Sequence, residues 1–186
     1  PQRNGGYEYF TKTRILHCRG YGTNEFGPNP QYLLFRTIQA SSYQALSDCE
    51  KQEYQPLSAL SEEQKQAFLN SIRLDKAHEG RNEFFETHWQ RLNELVANPH
   101  IGAHILLKNM QAFASEGLQY LETQVNVDRA QDNKGNPLSP EQTLSIYLDM
   151  LTSPQAKATG VTVRFQYALL RFLPNAESHL AWCIAT

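Results

Sequence analysis

No apolar run in this sequence comes near the roughly 20 residues that cross a bilayer. Neither sign of charge is in excess: 17 Lys and Arg stand against 19 Asp and Glu, a net charge of −2. A protein that grips nucleic acid needs a basic footprint, and one that lies on a membrane surface needs clustered lysine and arginine. Nucleic-acid polymers and membranes are therefore not the expected partners. Cysteine is scarce: Cys18, Cys49 and Cys183 are the only three, with no CxxC pair. An odd, sparse count reads as reduced thiols and favours a reduced, cytoplasmic compartment; one bridge plus one free thiol is the alternative. The first ten residues, PQRNGGYEYF, hold no signal-peptide core. The chain opens on Pro1 rather than Met, as a processed product or an excised domain would. The common catalytic signatures are missing too: no GxGxxG, P-loop, HExxH, GxSxG, EF-hand loop or zinc-ribbon spacing.

What is there is the composition of a folded chain, with 40% hydrophobic and 19% charged residues over 186 positions. Such a chain buries roughly 70% of its unfolded surface, so it needs neither metal nor disulfide to hold together. The expectation is one domain over 1–186.

The two ends read as strands and the middle as helix. Residues 7–18, YEYFTKTRILHC, are aromatic and β-branched with little helical period. RGYGTNEFGPNP (19–30) is a Gly/Pro loop, YLLFRTI (32–38) is strand-like, and 41–50 suits a short helix. Ser61 with Gln64 makes a capping box for a helix to about residue 77. Phe84, Phe85, Trp89, Leu92, Leu95 and Val96 form one apolar stripe over 82–97, read as a core face with His88 packed inside it. Asn98-Pro99 opens a helix running to Leu121, and Ser139-Pro140 opens another that ends near Leu151. From Gly160 the period becomes two. The spacing predicts strands over 161–173 and 179–185, joined by a hairpin at 174–178. The predicted fold is α+β: an antiparallel sheet built from N- and C-terminal strands, covered on one face by the central helices.

Three constellations carry candidate chemistry. The first is the strand-end loop 17–32. His17 and Cys18 are the candidate catalytic residues. Arg19, Gly20, Tyr21, Gly22 and Tyr32 are the candidate ligand contacts. Glycines let backbone approach a ligand, Arg19 suits a phosphate or carboxylate, and Tyr21 and Tyr32 suit a flat ring. His17-Cys18-Arg19-Gly20, a loop, and Tyr32 followed by Ser41-Ser42 together resemble ADP-ribosyltransferase folds over this one stretch. The E-x-E pair of those enzymes occurs nowhere, so no family is assigned. The second constellation is His78, Glu79, Glu83, Glu86, His88, His100 and His104, in which His100 and His104 share a helix face, as two imidazole ligands of a metal would. The third is Cys18 as a nucleophile. Its neighbour His17 points to the opposite face of a strand, so a distant histidine must serve as base.

Three functions follow as expectations. The first is a small-ligand or nucleotide-binding domain, a transferase among its forms, with Arg19 as anion anchor and His17 as acid/base. The others are a non-catalytic protein-interaction domain and a metal-dependent hydrolase using the His/Glu set. No cofactor is assigned.

Overall fold

In the computed structural model, residues 8–18, 23–24, 27–28, 32–77, 79–127, 130–168 and 176–185 are described. Helices and strands are mixed, with one three-stranded antiparallel sheet, which is the α+β class read from the two periodicities. The chain falls into two compact units: Pro1–Asn98 with Gln131–Pro137, and Pro99–Ala130 with Leu138–Thr186.

The first unit is built around β1 (Tyr9–Lys12), which is short and fully buried. A two-residue pair, β2 (Thr23–Asn24) and β3 (Gly27–Pro28), follows within the Gly/Pro loop. Then come β4 (Thr37–Gln39), α1 (Ala40–Gln44), α2 (Asp48–Lys51) and β5 (Tyr54–Pro56). β1 lies between β4 and β5, antiparallel to both, with Phe10 opposite Ile38 and Lys12 opposite Tyr54. Phe10, Ile38 and Tyr54 are the buried nucleus of this face, and Tyr43 of α1 stacks flat on Phe10 at 3.8 Å. The expected 32–38 strand is displaced to 37–39, because Phe35 sits in the left-handed region (φ 63°) and turns the chain just before it. The expected 41–50 helix is two helices, the second opened by a capping box between Ser47 and Glu50.

A 3-10 turn over Leu57–Ala59 leads to α3 (Glu62–Ser71), which carries the Ser61–Gln64 capping box. After it come α4 (Arg81–Glu83), a π-helical turn (Phe84–His88) and α5 (Trp89–Val96). Here the core-stripe expectation is met only in part: His88 is buried and Phe84, Leu92 and Leu95 are half-buried, but the rest of the stripe is exposed. Phe85 is 53% exposed, Trp89 42% and Val96 38%. The inward side of this segment is polar. His88 is buried, with Nε2 2.9 Å from the Arg73 carbonyl oxygen. Arg91 donates to the carbonyls of Leu34 and Ser71 at 3.0 and 2.6 Å. Glu94 accepts from the Gln39 amide at 2.7 Å, and fully buried Asn98 donates to the Tyr9 hydroxyl at 3.1 Å. Spacings of three and four put these four side chains on one helix face.

The second unit holds α6 (Pro99–Ser115), β6 (Tyr120–Gln124), α7 (Pro140–Thr152), α8 (Pro154–Lys157), β7 (Thr162–Gln166) and α9 (Ala176–Ala185). The helix expected to reach Leu121 stops earlier. Gly117 adopts φ 85°, its amide bonds the Ala114 carbonyl, and the Leu118 amide bonds the Phe113 carbonyl. That is a Schellman closure, and it releases the chain into β6. β6 pairs with β7 in parallel, Leu121 opposite Val163, with α7 and α8 in the connection a parallel pair requires. Ala103, Leu106 and Met110 of α6 pack with Tyr147, Ala156, Val161 and Val163. A Cβ on Gly102 would overlap the Tyr147 hydroxyl, so glycine there leaves room for the Tyr147 side chain against α6.

The expected C-terminal hairpin is a correction. β7 ends at Gln166, and 176–185 is helical, with Glu177 in its first turn. An apolar run as short as HLAWCIA suits either state, and an acidic first turn favours the helix. The C-terminal strand therefore pairs with β6, while the antiparallel sheet is wholly N-terminal.

Met110→Ala is expected to cost about 2–5 kcal/mol, as a cavity in a closed core does. Phe85→Ala is expected to cost about 1 kcal/mol or less, since it loses little beyond its edge-on contact with Phe84. Urea melts of the two variants compare them; equal losses would put the stripe in the core.

Candidate functional site

The period of two along β1 and β4 puts Lys12 on the same face as Phe10, and Arg36 on the same face as Ile38. Both cations thus lie on the Phe10–Ile38 side of the sheet, Lys12 at the end of β1 and Arg36 just before β4. Tyr54 of β5 stands directly across from Lys12, whose ammonium lies 5.1 Å from the Tyr54 ring centre. These three side chains border a cleft of about 230 Å³. Ile38, Ala45 and Leu46 form its apolar part. Ser42 of α1, Glu50 of α2 and Glu94 of α5 complete the lining.

Each cation has a carboxylate. The Lys12 ammonium meets Glu53 at 2.5 Å, and both side chains are almost fully buried. Glu53 also accepts from the Leu16 amide at 2.7 Å, and its carbonyl receives the Thr13 and Arg14 amides. Arg36 lies 3.7 Å from Glu94 and donates to the Tyr54 hydroxyl at 3.4 Å, a long contact. Glu94 is simultaneously fixed by the Gln39 amide. Burial raises the Tyr54 phenol above its ordinary value, with the Arg36 charge pulling the other way. Two cations in an apolar face require such partners, because an unmatched buried charge is expensive.

The residues expected to form a site fare differently. Cys18 is bonded to Cys49, with 2.02 Å between the sulfurs, 5.7 Å between the Cα atoms and 31 positions between the two residues in sequence. This corrects both the reduced-thiol and the cytoplasmic expectations: a bridge between distant elements fits an oxidising environment. It also occupies the sulfur that a nucleophile would need. His17 is exposed and left-handed (φ 57°), and Tyr32 is half-buried. Neither they nor Cys18 line the cleft among the described residues. Arg19, Gly20, Tyr21 and Gly22 lie outside the described residues. So does His78.

Of the helical His/Glu set, Glu79 and Glu83 come within 3.6 and 4.0 Å of the His88 ring, but among the described residues no three His, Cys, Asp or Glu side chains are placed to hold a metal ion. His88 spends its ring on the chain itself. Nδ1 lies 3.2 Å from the Glu83 carbonyl oxygen, and Nε2 contacts the Arg73 carbonyl. Glu79 lies 3.6 Å from the ring and accepts the Asp75 and Lys76 amides and the Lys76 ammonium. The Lys76 amide above all holds this carboxyl at about 2, from an ordinary 4.5.

Comparison with protein-family models, with curated proteins and with solved structures found no significant match. The reading of the cleft therefore rests on its own chemistry. Its residues left one signal in the sequence: Lys12 and Arg36 each stand two positions from a large apolar residue on a strand, on a face meant for the core.

Glu53→Gln is expected to destabilise the fold by about 3–5 kcal/mol, by leaving Lys12 buried without its carboxylate. Lys12→Met combined with Glu53→Leu is expected to recover most of that loss; chemical denaturation of the single and double variants measures both. Glu79 generates a pH prediction. Its pKa is depressed by folding, so its stabilising contribution is full above about 4.5 and lost as pH falls toward about 2. Glu79→Gln is expected to flatten that part of the acid-denaturation curve. An unchanged curve from pH 5 to 2 would contradict the assignment.

Proposed function

We propose that this protein binds a small anionic ligand in the cleft over the antiparallel sheet. The ligand class is a carboxylate or phosphate on a compact aliphatic body. One observation carries the reading: Lys12 and Arg36 both border a single cleft whose apolar part is Ile38, Ala45 and Leu46, with Ser42, Tyr54, Glu50 and Glu94 completing the lining. The guanidinium supplies a planar fork for the anion and Lys12 a point charge beside it. At about 230 Å³ the cleft is below the roughly 300–1,000 Å³ of sites for drug-sized ligands, which favours a ligand smaller than a nucleotide.

A second reading, a protein-interaction domain, is favoured by the outward row of α5. Phe85, Trp89 and Val96 are apolar, exposed and aligned, and aromatic side chains of this kind anchor protein interfaces.

Titration calorimetry with inorganic phosphate and with succinate tests the first reading. Arg36→Ala is expected to weaken binding about tenfold to a hundredfold, the loss of a charge-assisted contact, and Arg36→Lys to restore part of it. Arg19→Ala, in the loop read first from the sequence, separates the two candidate anchors. If only Arg19→Ala abolishes binding, the site is the loop and the cleft assignment is wrong.

A further inference from the structure

We infer that the Cys18–Cys49 disulfide governs the pairing of Lys12: while it is closed, the segment 13–18 keeps Glu53 on Lys12, and its reduction releases Lys12 from that carboxylate. What the release serves rests on the ligand-binding reading above; the relay itself does not.

The route is short and continuous. β1 ends at Lys12, and the next six residues run without regular structure to Cys18. Along that segment the Thr13 and Arg14 amides bond the Glu53 carbonyl, and Arg14 Nε bonds the Gln52 carbonyl at 2.6 Å. The Leu16 amide bonds the Glu53 carboxylate itself. The segment's far end is tied by the disulfide to α2, whose next residue, Glu50, lines the cleft. Leu16 and the bridge are two positions apart, so the bond that orients the Glu53 carboxylate lies next to the covalent anchor. Leu16 and His17 are exposed, so apolar packing holds them little. The covalent tie and these hydrogen bonds act on a stretch in which Thr13, Ile15 and Cys18 are only half-buried.

The bridge is open to reagents: Cys49 is exposed and Cys18 half-buried. The reductant is a dithiol. Its thiolate attacks the Cys49 sulfur, the Cys18–Cys49 bond breaks, and Cys18 leaves as thiolate and takes up a proton. The second thiol of the reductant then displaces Cys49. Two electrons and two protons have passed to the protein, and the reductant departs as its own disulfide. With the tie gone, segment 13–18 detaches from Glu53. The Glu53 carboxylate loses its second anchor and swings off Lys12, so the Lys12 ammonium faces the cleft without its own carboxylate, beside Arg36, Glu50 and Glu94. A protein built this way reads the passage from an oxidising to a reducing compartment.

Amine labelling of the whole chain with dilute acetic anhydride, read by peptide mass spectrometry, tests the relay without any ligand. The exposed Lys65 is the internal reference. In dithiothreitol, Lys12 labelling relative to Lys65 is expected to rise about tenfold, the population change from losing one charge-assisted hydrogen bond, with the circular dichroism spectrum retained. In the oxidised protein, Leu16→Pro removes the amide that holds Glu53 and is expected to give the same rise with the bridge closed. Lys12 as protected in reduced, folded protein as in oxidised protein overturns the inference. If reduction unfolds the chain, the oxidised Leu16→Pro variant decides: wild-type protection of Lys12 there overturns it. Labelling that rises while phosphate binds in neither state sustains the relay and refutes the ligand reading instead.

Discussion

The structure of the first unit depends on the inward face of α5 being polar. Four side chains, His88, Arg91, Glu94 and Asn98, each reach a group on another segment: the Arg73 carbonyl, the Leu34 and Ser71 carbonyls, the Gln39 amide and the Tyr9 hydroxyl. Hydrogen bonds of this kind contribute roughly 0.5–3 kcal/mol net each, less than a well-packed aromatic, but they are directional. They fix which residue of the helix stands over which residue of the sheet. The cost is that the apolar side of the helix, Phe85, Trp89 and Val96, faces outward. The π-helical turn over Phe84–His88 sits at the start of this arrangement and changes the phase of the stripe within it.

Glu94 links that constraint to the cleft. One oxygen takes the Gln39 amide and the other faces Arg36, so the helix position and the position of the guanidinium are set together. Lys12 is held separately, by Glu53 on β5's approach. Stability alone does not explain this pattern. A buried ion pair is often no better than well-packed apolar residues of the same size, and a Met and a Leu in place of Lys12 and Glu53 would serve the sheet as well. The ligand site proposed above would give cations that border a cavity a role beyond stability.

The second unit follows a different rule. Its strands are parallel, so the chain between them must cross over, and α7 and α8 lie within that connection. Its core is apolar, and the alternation of β7 is the familiar one, Val163 buried between exposed Thr162 and Arg164. The closeness of α6 and α7 at Gly102 and Tyr147 is a steric matter with no polar component beyond the tyrosine hydroxyl.

The sequence by itself determined the local punctuation. The Ser61–Gln64 capping box and the helix start at Ser139-Pro140 stand where they read, because their partners lie within one helical turn and need nothing from the rest of the chain. The helical middle and the alternating strand after Gly160 follow for the same reason. Tertiary structure decided everything that required a partner far along the chain. Periodicity marks Phe85 and Trp89 as one side of a helix, but not which side meets the sheet; distant polar groups that suit His88, Arg91, Glu94 and Asn98, backbone for the first three and the Tyr9 hydroxyl for the last, chose the polar one. Three cysteines read as thiols until the fold brought residues 18 and 49 together. Lys12 and Arg36 came to border one cleft only when antiparallel pairing set them side by side, since register is a property of two strands and neither strand's sequence contains it.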